Sequence, residues 1–207
     1  GGPDLEVRPP GRDLASSPDV RHPARLSNRA YIGSARIFLT IGTWDRRPYF
    51  REGALVSLAA SQLRAASRDC AFTIVVYCFM PDHLHALVVG TRDDADFRNF
   101  VRLAKQRTSF HARRFIRSRL WQPSFFDRTL RVDDVLHETI RYIVMNPVRA
   151  GLAETPLGYD FWGSAIYSRD ALLEYIGADV GTLDLKVQRS KRPSGASAPK
   201  GYRRAGP

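Results

Sequence analysis

The spacing of apolar and polar positions predicts alternating strands and helices in the middle of the chain. Residues 35–43, ARIFLTIGT, are rich in β-branched and aromatic side chains and predict a strand. Residues 52–68 place apolar side chains at helical spacing and predict a helix. Residues 71–80, AFTIVVYCFM, form a nearly continuous apolar run, which is typical of a strand that is covered on both faces.

The pattern then continues with a hairpin and a second helix. Pro81 and Asp82 predict a turn that leads into a strand at 83–89, so that this strand pairs with the one before it. A long helix is predicted from Asp96 to about Arg119. A short strand and turn are predicted within 121–131.

The last predicted element is a helix that ends at Asn146–Pro147 or shortly afterwards, with Asp133 or Asp134 as its N-cap and Gly151 as its stop. The whole order is typical of an α+β fold with a ferredoxin-like βαββαβ core, an antiparallel sheet and an additional helix. That additional helix carries Tyr142.

Composition divides the chain of 207 residues into three parts. Residues 1–30 are rich in Pro, Arg and Ser and predict a flexible arm, and residues 31–185 predict one folded domain. Residues 186–207 predict a disordered basic tail, since they hold seven bases and no acid. The net charge of +11 favours a polyanionic partner such as nucleic acid or an acidic membrane. Most of that positive excess lies in the tail, because residues 1–185 contain 25 basic and 21 acidic side chains.

Cysteine usage and hydropathy bear on the compartment. Cys70 and Cys78 match no metal or disulfide spacing and predict buried free thiols in a reducing compartment. The longest apolar run is far shorter than the ~20 residues of a membrane helix, and the N-terminus lacks the apolar segment of a signal peptide. We therefore expect a cytoplasmic protein without a membrane partner.

Two histidines stand one residue apart in the apolar stretch FMPDHLHALVVG. Successive strand residues point to opposite faces, so His83 and His85 share one face and Leu84 lies on the other. Two neutral imidazoles side by side suit a divalent metal ion. A structural pair of histidines explains the same two residues equally well.

Tyr142 and Asn146 stand four residues apart on the last predicted helix, so their side chains project side by side. The amide oxygen of Asn146 is a hard, neutral ligand that suits Mg²⁺ or Mn²⁺. The alternative makes Tyr142 an edge aromatic residue and Asn146 a helix C-cap before Pro147.

These segments together resemble the REP-associated tyrosine transposases, a branch of the HUH single-strand transposases. The resemblance covers residues 29–167 and is carried by MPDH with HLH, by FFDRTLR, by RYIVMNPVRAGLAE and by WGSA. It implies that His83 and His85 bind the metal ion, Mg²⁺ or Mn²⁺, with Asn146 as the third ligand. It also implies that Tyr142 is the nucleophile that cuts single-stranded or hairpin DNA through a 5′-phosphotyrosine intermediate. The protein would act as a monomer or a homodimer.

Basic side chains supply the predicted DNA contacts, because phosphate contacts dominate affinity for nucleic acids. No acid interrupts residues 97–119, whereas an ordinary solvated helix face usually mixes both signs. The predicted DNA-binding residues are Arg102, Lys105, Arg113, Arg128, Arg131 and Arg149. Trp121, Phe125, Phe126 and Trp162 are candidates for stacking on unpaired bases, although core packing is the commoner role for such residues.

Three other functions fit parts of the pattern. An HUH replication initiator or relaxase usually carries a longer histidine cluster or paired tyrosines, which this sequence lacks. A regulator that binds hairpin DNA without catalysis has no need of His83, His85, Tyr142 and Asn146 together. A zinc-dependent hydrolase requires a third strong ligand, and no Asp, Glu or His stands at a persuasive spacing.

Overall fold

The structure, a computed structural model, describes residues 31–130 and 133–177, apart from the side chains of residues 133–135. The predicted arm 1–30, the predicted tail 186–207 and the side chains of Arg131, Asp133 and Asp134 lie outside the described residues. No helix within the described ranges is long and apolar enough to cross a membrane.

Five strands form one antiparallel sheet in the order β4-β1-β3-β2-β5. The strands are β1 (Arg36–Gly42), β2 (Phe72–Met80), β3 (His83–Gly90), β4 (Phe126–Leu130) and β5 (Trp162–Gly163). The helices are α1 (Gly53–Asp69), α2 (Phe97–Ala112), α3 (Asp133–Arg149) and α4 (Arg169–Gly177). The first four strands with α1 and α2 confirm the predicted βαββαβ core, and α3 is the predicted additional helix.

The two faces of the sheet bury different cores. Leu84 and Ala86 of β3 lie in the cluster that contains the apolar side chains of α1 and α2, and we call this side the closed face. Leu87 of β3 lies in the second cluster, with Leu136 and Ile140 of α3, and we call that side the α3 face. Full burial of one such aliphatic side chain stabilises a fold by ~1.5–3 kcal/mol, so both clusters hold the sheet in place.

Strand β2 is covered on both faces, as its continuous apolar run predicts. Ile74 and Tyr77 lie in the core of the closed face, whereas Val75 and Val76 both lie in the core of the α3 face. Two consecutive residues share a face because a bulge shifts the register with β3 between Ile74 and Val76. With this bulge, a strand that does not alternate polar and apolar residues contributes apolar side chains to both cores.

The prediction for α2 was wrong at its C-terminus, because the helix ends at Ala112 and not near Arg119. Its start agrees, since the Asp96 side chain accepts a hydrogen bond of 3.1 Å from the backbone N–H of Asn99. The chain leaves the helix because residues further on pair with the loop after β1. Leu120 O accepts a hydrogen bond of 2.9 Å from Trp44 N, and Trp121 forms a β-bridge with Thr43.

At its C-terminus α3 continues through Pro147 to Arg149, and Gly151 follows with φ of +68°, which confirms it as the stop. The sequence patterns did not predict β5 or α4. β5 is only two residues long, and α4 buries only Leu172 and Ile176 of its nine residues, so each leaves a weak periodic signal.

Candidate active site

Strand β3 presents both histidines on the α3 face, opposite Leu84 and Ala86 on the closed face. The side chain of His83 is 16% exposed, and His85 is 5% exposed. The sheet therefore holds two polar rings against a largely apolar surface, where each ring nitrogen needs a partner.

Each histidine ring is fixed through its outer nitrogen. His83 Nδ1 lies 2.6 Å from Asp82 Oδ1, and His85 Nδ1 lies 2.8 Å from the hydroxyl of Thr40 on β1. The Nε2 atoms of the two rings face each other at 3.0 Å. Anchored outer nitrogens with converging inner nitrogens are typical of histidines that bind a metal ion.

A further ion pair fixes Asp82. Its second carboxylate oxygen lies 3.0 Å from Arg46 Nε. Arg46 and Asp45 both have positive φ values, 54° and 52°, in the turn after β1. Such backbone conformations are uncommon outside glycine, and here they direct the guanidinium toward the carboxylate that holds His83.

Burial, together with the nearby His83 and Arg46, lowers the pKa of His85 to about 3. His85 is therefore neutral at physiological pH, the form that binds metals. The Thr40 hydroxyl can either donate to or accept from Nδ1, so it stabilises either tautomer of the ring.

The donor set fits a divalent ion with an open coordination sphere. Two ligand atoms at right angles on an octahedral ion with bonds of about 2.1 Å lie about 3 Å apart, which matches the 3.0 Å between the Nε2 atoms. The same distance also suits one N–H···N hydrogen bond between the rings. Among the described residues, no group of three or more His, Cys, Asp and Glu side chains could hold a metal ion, so a closed zinc site is not formed there.

Tyr142 lies on α3, and its ring packs against that of His85. Its ring centroid is 5.4 Å from that of His85 and 5.9 Å from that of Phe38 on β1, which it meets nearly perpendicularly. The guanidinium carbon of Arg149 lies 5.3 Å from the centroid of the Tyr142 ring. Tyr142 is nonetheless 38% exposed, so a substrate can reach it.

Asn146 follows Tyr142 by one helical turn and is half-buried. Within the described ranges its side chain forms no hydrogen bond, so the amide oxygen remains available for a ligand. Its role as third metal ligand stays a prediction.

The predicted DNA-binding residues divide between the two sides of the sheet. Arg128 is directly opposite Phe38 in the ladder of β4 and β1, so it projects from the α3 face with Arg149. Arg102, Lys105 and Arg113 belong to the helical segment that covers the closed face. Arg131 lies outside the described residues.

The three basic residues on the closed side already have partners within the protein. Arg102 donates to Asn99 and Gln106, and Arg113 lies over the ring of Phe110. Lys105 Nζ donates to the backbone carbonyls of residues 122 and 123 at 2.7 and 2.8 Å, and burial lowers its pKa. Their contact with DNA stays a prediction, and the sheet separates them from the histidines and Tyr142.

The sequence patterns missed Asp82, Thr40, Phe38 and Arg46. Asp82 was interpreted only as a turn residue, although it directly precedes the first histidine. Phe38 and Thr40 share one face of β1, and Thr40 interrupts the apolar run that follows Arg36. That interruption was the available signal, since a hydroxyl on a strand face that packs against a core needs a hydrogen-bond partner.

Comparison with known proteins places the same segments in one family. Residues 34–146 match the family described as "Transposase IS200 like". This range is more than half of the chain and extends from the start of β1 to Asn146.

Two similar proteins are bacterial. One, from Haemophilus influenzae, carries the provisional description of a REP-associated tyrosine transposase; it is 29% identical over 77% of this chain and 96% of its own length. The other is the REP-associated tyrosine transposase of Escherichia coli K12, which is 28% identical over 59% of this chain and 72% of its own.

A similar fold occurs in a REP-associated tyrosine transposase that was solved bound to a REP hairpin. The two structures superpose with a TM-score of 0.57 and 24% sequence identity over 67% of this chain and 81% of that one. The antiparallel sheet and its covering helices are thus a known arrangement.

Proposed function

The chain belongs to the IS200-like transposase family, whose members cut and rejoin DNA, and from this premise we propose that it acts on single-stranded DNA at hairpin-forming repeats with Tyr142 as the nucleophile. One observation carries the proposal: the ring of Tyr142 packs 5.4 Å from that of His85, whose Nε2 atom faces that of His83. A phenol beside two converging imidazoles on a rigid sheet is suited to attack on a phosphate that a metal ion holds. The names of the relatives support a repeat hairpin as the substrate.

The proposed reaction is a transesterification. The phenolic oxygen of Tyr142 attacks phosphorus, the bond from phosphorus to the 3′-oxygen breaks, and the departing oxygen takes up a proton to become a 3′-hydroxyl. The DNA remains linked to Tyr142 through a 5′-phosphate, while the phenolic proton passes to solvent. A 3′-hydroxyl then attacks the phosphotyrosine, which rejoins DNA and restores the phenol. One phosphodiester replaces another in each step, so no nucleotide cofactor is needed.

His83, His85 and Asn146 would hold the divalent ion. A bound Mg²⁺ or Mn²⁺ would withdraw charge from the scissile phosphate and orient it. The chain's own groups do the rest: Asp82 and Thr40 keep the imidazoles oriented, and Phe38 packs against the ring of Tyr142. Arg149, whose guanidinium carbon lies 5.3 Å from the centroid of that ring, would stabilise the negative charge that develops near the phenolic oxygen.

A covalent adduct tests the proposal. The full chain is incubated with Mn²⁺ and a labelled pool of DNA hairpins that carry randomised unpaired extensions, and adducts that survive denaturation are separated on a gel. We expect an adduct with the wild type and none with Tyr142→Phe, which removes the attacking oxygen and preserves the ring contacts with His85 and Phe38. Tyr49→Phe is the matched control, because Tyr49 packs on the closed face and should leave the yield unchanged.

The outcomes separate the alternatives. An adduct that persists in Tyr142→Phe would show that another residue is the nucleophile. Tight binding of the hairpins without an adduct in the wild type would favour a regulator that binds DNA without cutting it.

A further inference from the structure

Among the described residues, Phe126 on β4 is an exposed aromatic residue close to the proposed reaction centre. Of the four aromatics that the sequence offered for base stacking, Trp162 and Trp121 are buried at 1% and 8% exposure, and Phe125 packs against the core of the closed face. Phe126 differs from them because it is 40% exposed. An exposed ring on a sheet edge beside a catalytic site is a typical contact for a planar ligand.

Two contacts, with Thr40 and Phe38, tie Phe126 to the site. Its ladder partner is Thr40, so both side chains project from the α3 face, and the Thr40 hydroxyl holds His85. Its ring meets that of Phe38 at 70° with centroids 6.5 Å apart. Phe38 in turn contacts the rings of His85 and Tyr142 at 5.5 and 5.9 Å. Phe126 thus borders the same aromatic wall as the proposed nucleophile, on the side toward the sheet edge.

The charge pattern of β4 specifies the kind of ligand. Arg128 follows Phe126 by two residues, projects from the same face and is exposed. Asp127 between them projects to the closed face, where its carboxylate accepts a hydrogen bond of 3.3 Å from Tyr31. The α3 face of this strand therefore presents an aromatic ring and a cation, with its carboxylate turned away. Single-stranded DNA has matching groups, since each base has a π-face and each link carries a phosphate.

We propose that Phe126 is a stacking platform for one unpaired base next to the scissile phosphate, with Arg128 contacting the adjacent phosphate. This subsite rests on the proposed function and adds to it the way in which the strand is seated. Stacking a base on Phe126 keeps that nucleotide unpaired and fixes the direction in which the backbone crosses the histidines and Tyr142. Because every base has a π-face, the platform selects for an unpaired base more than for its identity.

A thermodynamic cycle tests the proposal by binding alone. Tyr142→Phe, which cannot cut, is used to select a tightly bound hairpin oligonucleotide with an unpaired extension from the randomised pool. Affinity is then measured for that oligonucleotide and for versions with an abasic site at each unpaired position. Adding Phe126→Ala should weaken binding of the intact oligonucleotide ~5- to 150-fold. At one abasic position, the proteins with and without the Phe126→Ala substitution should bind equally, because the stacking partner is already missing.

Two matched variants accompany the cycle. Phe126→Trp should restore most of the affinity, since a larger ring keeps the platform. Phe110→Ala removes a ring that is 61% exposed on α2, across the sheet, and should leave affinity unchanged. Melting temperatures of all variants establish that they are folded.

Two results would overturn the subsite: no loss of affinity in Phe126→Ala, or an equal loss with the intact and every abasic oligonucleotide. Failure of the proposed function is a separate result, in which the wild type gives no adduct with any hairpin. In that case Phe126→Ala would still weaken binding of the intact oligonucleotide, and the loss would still disappear at one abasic position.

Discussion

The buried hydroxyls in the helices of the closed face and the histidines of the α3 face form different kinds of hydrogen bond. On the closed face, the hydroxyls of Ser67 and Thr108 donate to carbonyls of their own helices, at 2.9 and 2.6 Å. On the α3 face, His85 bonds to Thr40 of a neighbouring strand, and His83 bonds to a carboxylate that Arg46 also contacts. The two hydroxyl bonds stay within one helix and serve packing, whereas the bonds around the histidines involve a neighbouring strand and turn and fix ring orientation.

Strand β3 brings these two roles to adjacent residues. Leu84 is 1% exposed on the closed face, and His83 and His85 project from the other side of the same backbone. Strand alternation therefore lets one rigid element anchor the core and position the proposed metal ligands. Stability and chemistry should separate experimentally when neighbouring residues are replaced.

The largest difference between an effect on adduct formation and an effect on stability is expected for substitutions of His83 and Leu84. His83→Ala should reduce adduct formation more than ~100-fold, because losing a ligand costs more than the ~10–100-fold typical of a residue that only orients one. Its unfolding free energy should change by ~1 kcal/mol or less. Leu84→Ala should lower that free energy by ~2–5 kcal/mol, since it leaves a cavity in the closed face.

Chemical denaturation and the adduct assay at several Mn²⁺ concentrations measure the two effects. Leu84→Ala should keep its adduct yield under conditions where it is folded. Full activity in His83→Ala would remove the metal role from that histidine. An equal loss of stability in both variants would show that the two faces are not functionally distinct.

The sequence predicted most of the fold and the central part of the site. HLH in an apolar run, together with Tyr142 and Asn146 at helical spacing, indicated which residues share a face, because alternation and helical periodicity are local properties. It did not indicate Phe38, Thr40 or Arg46, since their roles depend on which strand lies beside β3 and on how the turn after β1 is bent. The basic segment 97–119 was interpreted by charge alone, and only the tertiary structure shows that α2 covers the closed face.

The next comparison uses two threonines on neighbouring strands. Thr40→Val removes the hydroxyl that orients His85, and we expect Mn²⁺ affinity to fall ~10–100-fold, measured by calorimetric titration without DNA. Thr129→Val is the matched control on β4. The buried Thr129 hydroxyl has no hydrogen-bond partner among the described residues, so its loss should leave metal affinity unchanged and stability equal or higher. Equal Mn²⁺ affinity in Thr40→Val and the wild type would contradict the orienting role.

Substitution of Lys105 tests whether this residue of the closed side stabilises the fold or binds DNA. Lys105→Met keeps the length of the side chain and leaves two backbone carbonyls, of residues 122 and 123, without their charged donor. We expect the unfolding free energy to fall by ~1–2 kcal/mol. Affinity for the hairpin oligonucleotide and its dependence on salt should stay the same. A weaker affinity with unchanged stability would restore Lys105 as a DNA contact.

The smallest expected effect comes from replacing single arginines, Arg128 on the α3 face and Arg102 on the closed side. Arg128→Gln should weaken hairpin binding a few-fold and reduce the slope of log affinity against log salt by ~0.7, the value for one phosphate contact on a single strand. Arg102→Gln, a change of equal charge on α2, should alter neither quantity, because that guanidinium already bonds to Asn99 and Gln106. Binding is measured at several salt concentrations in the Tyr142→Phe background to prevent cleavage. The reverse result, a smaller slope for Arg102→Gln alone, would place the DNA on the closed side and away from Tyr142. One side of the sheet would then bind DNA, and the other would carry the proposed nucleophile.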